Sequence, residues 1–307
     1  MIVPTLRQMR YVTALAREGH FGRAAEVCAI SQPALSMQLR ELEAGLGVAL
    51  FDRGTRGVRL TGFGAEFAAR AAEILRAADE LAELARAARD RLSGRLRLGV
   101  IPTVAPYLLP ALIPDLTAAR PELEIHLRET QTARLLQEIH EGRIDAAIVA
   151  LPVSEPGLAE THLLTERFVL VRPEGDAARP VPDREALREM RLLLLEEGHC
   201  FRDQALSFCG AAARPREMLD ASSLGTLVQM VGAGIGLTLV PEMAVPVETR
   251  SAAVSIARFA PPEPGRRIGM VWRGSSPLAR HLPDIAAIVR DTALRLRGVA
   301  GHHQVSS

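Results

Sequence analysis

The 307-residue sequence predicts an α/β protein in three parts: an all-α N-terminal unit closed by two short strands, one long helix, and a larger α/β unit. Three observations predict it. Apolar residues recur at helical spacing through the first 46 positions, and a heptad runs unbroken from Phe67 to Leu92. From Leu96 onward, short leucine- and valine-rich runs alternate with amphipathic stretches, the rhythm of a sheet covered by helices.

Composition bounds the function classes. Hydrophobic residues make up 48% and charged residues 24%, ordinary for a globular chain with a sizeable core. No apolar run approaches the ~18 residues of a membrane span, and Met1-Ile2-Val3-Pro4 lacks the basic region of a signal peptide, so no membrane partner and a cytoplasmic location are expected. Three cysteines form no disulfide framework. The net charge is +1, so any nucleic-acid contact must come from local placement. All 37 basic residues are arginine, a compositional bias to which no function is assigned.

Residues 1–60 read as one unit. Leu6, Met9, Val12 and Leu15 space a first helix, 21–28 a second with Cys28 as a core residue, and Leu35, Leu39, Leu42 and Leu46 the stripe of a third. Ser31 is an N-cap with Pro33 early in the first turn. The face opposite the leucines presents Pro33, Met37 and Arg40, with Gln32 and Ser36 near the N-terminal end, as a recognition helix presents residues to bases and phosphates. Two strands, 48–51 and 58–60, flank a basic turn containing Arg53 and Arg56, suited to the DNA backbone or minor groove. The unit carries eight Arg against five Asp plus Glu.

Residues 61–92 read as a linker helix, with Thr61 as its N-cap. Phe67, Ala71, Ile74, Ala78, Leu81, Ala85, Ala88 and Leu92 follow spacings of four and three, the seam of a coiled coil. A helix packed only on its own unit would drift off a strict seven-residue period, so a homodimer is expected. Two paired readers imply a pseudo-palindromic site on double-stranded DNA.

Residues 93–300 read as strand, helix, strand, helix, strand, giving a mostly parallel sheet, with further strands near 168–171, 192–195, 237–240 and 268–272. The last strand and a helix over 278–296 are expected to return the chain to the first of two lobes. That divides the unit into lobe I (93–165 and 268–300) and lobe II (166–267), with a polar tail at 301–307. Ligands of α/β folds bind in clefts at strand ends. Gly232-Ala233-Gly234-Ile235-Gly236 follows a helix and precedes a strand, the reverse of a dinucleotide loop, and reads as a turn.

The candidate chemistry lies in residues 197–210. Phe201, Ala205, Phe208 and Cys209 fall at i, i+4, i+7 and i+8, so Cys200 opens a helix whose buried stripe carries Cys209. Nine helical steps hold the two Cα atoms about 13 Å apart, beyond the roughly 7 Å a disulfide tolerates. The pair therefore suits a switch that unwinds the helix better than a static staple, while two ordinary buried cysteines remain an open alternative. His199, Arg202 and Asp203 are neighbours that can tune a thiol.

Residues 198–209 match the pattern GHCxRDQxxxFC at every specified position, and this segment resembles the redox-sensing segment of the peroxide-responsive branch of the LysR-type transcription regulators. Residues 24–64, AAExCxxSQPALSxQLRELEAxLGVxLFDRxxRGVxLTxxG, are similar to the winged helix-turn-helix of the same family. The resemblance implies a two-lobed, periplasmic-binding-protein-like effector domain, an activator that engages RNA polymerase, and a homotetramer. It implies hydrogen peroxide as effector, Cys200 as the peroxidatic and Cys209 as the resolving residue, and no cofactor or metal. Thr103, Thr130, His199, Asp203 and Arg266 match positions of the peroxide pocket. Thr103, at a strand's C-terminal end, could equally cap the next helix. Met218 stands where the family often has a histidine, and the loop at 210–215 is short, which bears on oxidation rate and oxidised conformation. Two other functions fit the cysteine pair or the cleft: a thiol peroxidase, which needs no DNA reader, and a regulator answering to a small organic ligand.

Overall fold

The computed structural model describes residues 3–54, 57–87, 94–209 and 219–302, with side chains left undescribed at 53, 54, 57, 79, 80, 82–87, 209 and 298–302. It divides into two compact units, Met1–Ala88 and Arg89–Ser307.

In the first unit, α1 (Leu6–Glu18) starts at a capping box in which Thr5 Oγ1 accepts from Gln8 N at 3.2 Å and Gln8 Oε1 accepts from Thr5 N at 3.0 Å. Helix α2 (Phe21–Val27) ends with Cys28 as its C-cap, so this cysteine is a half-buried terminus rather than a helix-interior residue. Helix α3 (Gln32–Leu46) is capped by Ser31, whose Oγ accepts from Ala34 N at 3.4 Å. Its Leu35, Leu39 and Leu42 close a core with Val12, Leu15 and Ala24. The hairpin strands are β1 (Phe51–Gly54) and β2 (Gly57–Leu60), pairing from Phe51↔Leu60 to Gly54↔Gly57. The first strand begins three residues later than 48–51. Leu50 N and Phe51 N both donate to Glu43 Oε1, and Ala49 O accepts from Thr61 Oγ1, so this backbone is committed to neighbours other than a strand.

Helix α4 (Gly62–Ala87) is capped by Thr61 Oγ1, which accepts from Gly64 N at 2.9 Å. Gly64 lies against the Leu50 carbonyl, where an added Cβ would stand 1.9 Å from the oxygen. Ala68 and Ala71 are buried and Phe67 packs against the same core, whereas Ile74 and Leu81 are 46% and 68% exposed. Ala88 and Leu92 of the heptad, and Arg56 of the turn, lie outside the described residues.

The second unit starts with β3 (Gly94–Val100), α5 (Ala105–Ala119), β4 (Leu123–Glu129), α6 (Thr132–His140) and β5 (Ala146–Leu151), then the 16-residue β6 (Leu158–Pro173). Next come α7 (Arg184–Glu189), β7 (Leu193–Leu195), α8 (Cys200–Cys209), β8 (Leu219–Ala221), α9 (Leu224–Gly232) and β9 (Thr238–Pro241). Helix α10 (Val245–Glu248), β10 (Val254–Ala257), β11 (Gly265–Arg273) and α11 (Leu282–His302) complete it. The glycine run at 232–236 turns from α9 to β9 as expected.

The expected mostly parallel sheet is corrected. The main sheet runs β10-β6-β11-β5-β3-β4, with β9 also on β6, and only β3–β4 and β3–β5 are parallel. The cause is β11, which enters between β5 and β6 and runs antiparallel to both.

Two apolar cores result. One gathers β3, α5, β5, β11 and α11; the other gathers the far half of β6 with β7, α8, α9 and β9. Strand β6 contributes Leu163 and Leu164 to the first core and Phe168–Val171 to the second. Tyr107 sits on α5 yet packs into the second core, and its hydroxyl donates to Glu248 Oε1 at 2.7 Å. Helix α11 extends through Gly301 and His302, two residues into the expected tail, since adding residues to a formed helix costs little. No helix among the described residues is long and apolar enough to cross a membrane.

Candidate functional site

The segment between β7 and α8 is shaped by Gly198. Its φ of +91° favours glycine, and an added Cβ would stand 2.5 Å from Gln131 Oε1. Gln131 precedes α6, and its Nε2 donates to Glu197 O at 3.4 Å, so the entry to α6 lies against the turn that leads into α8.

Helix α8 is anchored on three sides. Phe201 is 2% exposed and meets Phe168 edge-on at 4.9 Å between ring centroids. Phe208 meets Phe259 at 5.0 Å, with the Arg184 guanidinium 4.7 Å from its ring centroid. Arg202 is buried, and its Nη1 donates to Leu195 O and Asp220 Oδ1, both at 2.7 Å. Cys200 is thereby fixed at the helix N-terminus and Cys209 at its last position, about 13 Å away by helical rise.

Cys200 is half-buried and packs against the first core although its helix contributes Phe201 and Ala205 to the second. It lines a cleft of 740 Å³ together with Asp203 and Gln204 of α8, Thr132 and Leu136 of α6, and Arg266 and Arg267 of β11. Two polar atoms of that lining, Thr132 Oγ1 and Gln204 Oε1, are buried without a protein hydrogen-bond partner.

Arg266 is buried and its guanidinium is engaged by two residues. Its Nη1 donates to Thr103 Oγ1 at 2.7 Å, its Nη2 to Thr103 O at 2.9 Å, and its Nε and Nη2 to Glu166 Oε2, each at 3.0 Å. Both side chains of the ion pair are almost fully buried. Burial pushes the Glu166 carboxyl up, and the Arg266 guanidinium pulls it back down. The pair joins adjacent positions on β6 and β11, so the charge is neutralised inside the sheet.

Cys200 and the five expected pocket residues therefore divide. Cys200, Asp203 and Arg266 line one cleft. Thr103 is buried and bonded to Arg266 without being part of that lining, so its hydroxyl serves the arginine rather than capping α5, which has no side-chain cap. Thr130 is half-buried beside Val100, its N–H donating to Val100 O at 3.4 Å, and is not among the lining residues. His199 is 8% exposed and also outside the lining; burial pushes its imidazole below the usual histidine range, with Glu196 opposing. The side chain of Cys209, residues 210–215 and Met218 lie outside the described residues.

Sequence reasoning missed Glu166, Gln131, Thr132 and Gln204. A signal existed for Glu166: an acid beside the apolar run 168–171 has to find a cation, and Arg266 lies in another strand.

In the first unit, Gln32, Pro33, Met37 and Arg40 are exposed along one face of α3, Ser36 is half-buried, and Ser31 is engaged as the cap. Arg53 lies in β1 with its side chain undescribed.

Comparisons with known proteins agree with this division. A family model described as the LysR substrate binding domain matches residues 89–293, and one described as bacterial regulatory helix-turn-helix protein, lysR family, matches residues 6–65. A probable hydrogen peroxide-inducible genes activator of Streptomyces viridosporus is 45% identical over 293 residues, 94% of each chain. The DNA-binding transcriptional dual regulator OxyR of Escherichia coli is 41% identical over 291 residues, 93% of this chain and 94% of its own. Among solved structures, a full-length OxyR mutant of Pseudomonas aeruginosa is 37% identical with a TM-score of 0.74, covering 94% of this chain and 96% of that one. A hydrogen-peroxide-bound OxyR mutant of Corynebacterium glutamicum is 37% identical with a TM-score of 0.67, covering 98% and 96%. The chain belongs to the LysR family of transcriptional regulators, in its OxyR branch.

Proposed function

We propose that this regulator senses hydrogen peroxide through Cys200 and stores the signal as a reversible Cys200–Cys209 disulfide that controls antioxidant genes. The observation that carries the reading is Cys200 at the start of α8, facing a cleft, with Cys209 at the end of the same helix. The Cys200 thiolate attacks one peroxide oxygen, the O–O bond breaks, and Cys200 becomes a sulfenic acid with release of water. Cys209 then displaces the sulfenic oxygen as a second water. A span of about 13 Å cannot be bridged without unwinding α8. Arg266 and Asp203 line the peroxide pocket; Thr103 holds Arg266, and His199 and Thr130 support the segments around it.

The signal passes to DNA through two copies of the chain. Gln32, Pro33, Ser36 and Arg40 read the major groove, Ser31 fixes the start of the reading helix, and Arg53 and Arg56 touch the backbone. Helix α4 pairs two chains through Ile74 and Leu81, effector domains pair a second time to give a tetramer, and the complex recruits RNA polymerase in the cytoplasm on a pseudo-palindromic site. Thiol mass spectrometry of the reduced protein, with and without micromolar peroxide, tests the switch. A Cys200–Cys209 peptide is expected in wild type and none in Cys200→Ser; transcriptional activation of Cys200→Ser by peroxide would refute it.

A further inference from the structure

In the first unit the turn between α1 and α2 holds a polar group that no residue on α3 accounts for. His20 is the N-cap of α2, where Gly22 N donates to its Nδ1 at 3.0 Å. A ring that accepts at Nδ1 is neutral and carries its one proton on Nε2. His20 is exposed, and among the described residues Nε2 has no hydrogen-bond partner. The cap therefore starts α2 and at the same time fixes the ring with a single N–H donor on the side away from Nδ1. Gly22 and Gln32 locate that donor. An added Cβ at Gly22 would stand 3.0 Å from His20 Cε1 and 3.8 Å from Gln32 Oε1, so the imidazole and the carboxamide that opens α3 border the same gap. The nearest carboxylate in sequence is engaged elsewhere: Glu18 Oε1 accepts from Arg17 Nε at 2.9 Å, and Oε2 lies 3.9 Å from Arg23 Nε. Two arginines against one glutamate leave this turn with a local positive excess.

We propose that His20 Nε2 donates to a phosphate oxygen of the DNA backbone at the edge of the groove that α3 reads. The assignment rests on the reading of α3 as the DNA-contacting helix and adds a contact outside that helix. When a helix-turn-helix docks, the recognition helix enters the major groove and the helix before it crosses the backbone. Phosphate oxygens accept from neutral side-chain donors as well as from arginine. An imidazole N–H at the start of α2, beside the first residue of α3, meets both conditions. Such a contact fixes the position of the reader on the duplex and carries no sequence information. Because the donor is neutral it cancels no phosphate charge and releases no counterion, which separates it from an arginine contact such as that of Arg40.

The test measures binding of the full-length chain to two duplexes of equal length, an operator selected with the wild-type protein from a random pool and a scrambled sequence. His20→Ser and His20→Asn each keep an oxygen that caps α2, and neither side chain has a donor that extends as far as Nε2. Affinity for both duplexes is expected to fall about tenfold in both variants, the scale of one hydrogen bond to a charged group. The slope of log affinity against log salt and the thermal midpoint should stay as in wild type. Equal affinity in wild type and variants overturns the proposal. A fall confined to the operator also overturns it, because the histidine then acts through Gln32 on base recognition. A backbone scan supplies a readout that a merely structural role does not move. Replacing single operator phosphates by uncharged methylphosphonates should reveal one position in each half-site that costs the wild type about tenfold and costs the variants nothing further. Absence of such a position overturns the contact, whatever the stability of the variants. A wild-type chain that binds no duplex removes the reading of α3 and this inference together, whereas a wild type that binds and variants that bind equally well remove this contact alone.

Discussion

Removing the Phe208 side chain should make the proposed disulfide harder to reduce. In the helical form Phe208 meets Phe259 edge-on at 5.0 Å and lies under the Arg184 guanidinium at 4.7 Å. An aromatic pair contributes about 0.5–1.5 kcal/mol beyond area, and an exposed cation–π contact about 0.5–1 kcal/mol. Phe208→Ala therefore costs the helical, dithiol form about 1–2.5 kcal/mol. Forming the disulfide requires α8 to unwind beside Phe208, so the oxidised form has already lost these contacts and is spared the cost. Destabilising the dithiol lowers the reduction potential, and at 1.4 kcal/mol per 30 mV for two electrons the shift is about 20–50 mV to more negative values. The assay is equilibration in graded glutathione or dithiothreitol buffers, with alkylation and mass spectrometry of the Cys200 and Cys209 peptides. An unchanged potential, or a shift to more positive values, would show that Phe208 keeps equivalent contacts in the disulfide form. The unwinding argument would then be refuted.

Asp at both Ile74 and Leu81 should abolish dimerisation and DNA-site binding together, because it buries charges in the proposed seam; a double mutant that sediments as wild type would move the interface off this face. Arg40→Ala should weaken DNA binding at matched salt and reduce the slope of log affinity against log salt by about one phosphate contact, with the circular dichroism spectrum unchanged; equal affinity and slope would remove Arg40 from the interface. His199 is held below its ordinary range by burial, so the unfolded chain gains a proton that the folded chain resists. Stability should fall as pH drops through the unfolded value of about 6.5. His199→Asn should flatten the urea-midpoint difference between pH 7.5 and pH 5.5, and an identical pH dependence in the variant would show that His199 does not contribute.

The sequence by itself determined what repeats along the chain. The leucine stripe of α3, the Ser31 cap, the heptad into α4 and the helix that starts at Cys200 are each legible because a helix places residues three and four apart on one face. The match at 198–209 singled out the cysteine pair for the same reason: it is local. Only the tertiary structure decided what meets across long separations. Arg266 finds Glu166 100 residues away and Thr103 163 residues away, and that meeting turns Thr103 toward the arginine instead of the cleft lining. The antiparallel entry of β11 between β5 and β6 is likewise invisible to periodicity, which reports which face of a strand is apolar and not which strand lies beside it. Tyr107 belongs by sequence to a helix of the first core and by packing to the second. The cleft at Cys200 likewise gathers residues far apart in sequence, Thr132 and Leu136 of α6, Cys200 and Asp203 of α8 and Arg266 of β11, and Cys200 packs against the first core while Phe201 and Ala205 enter the second.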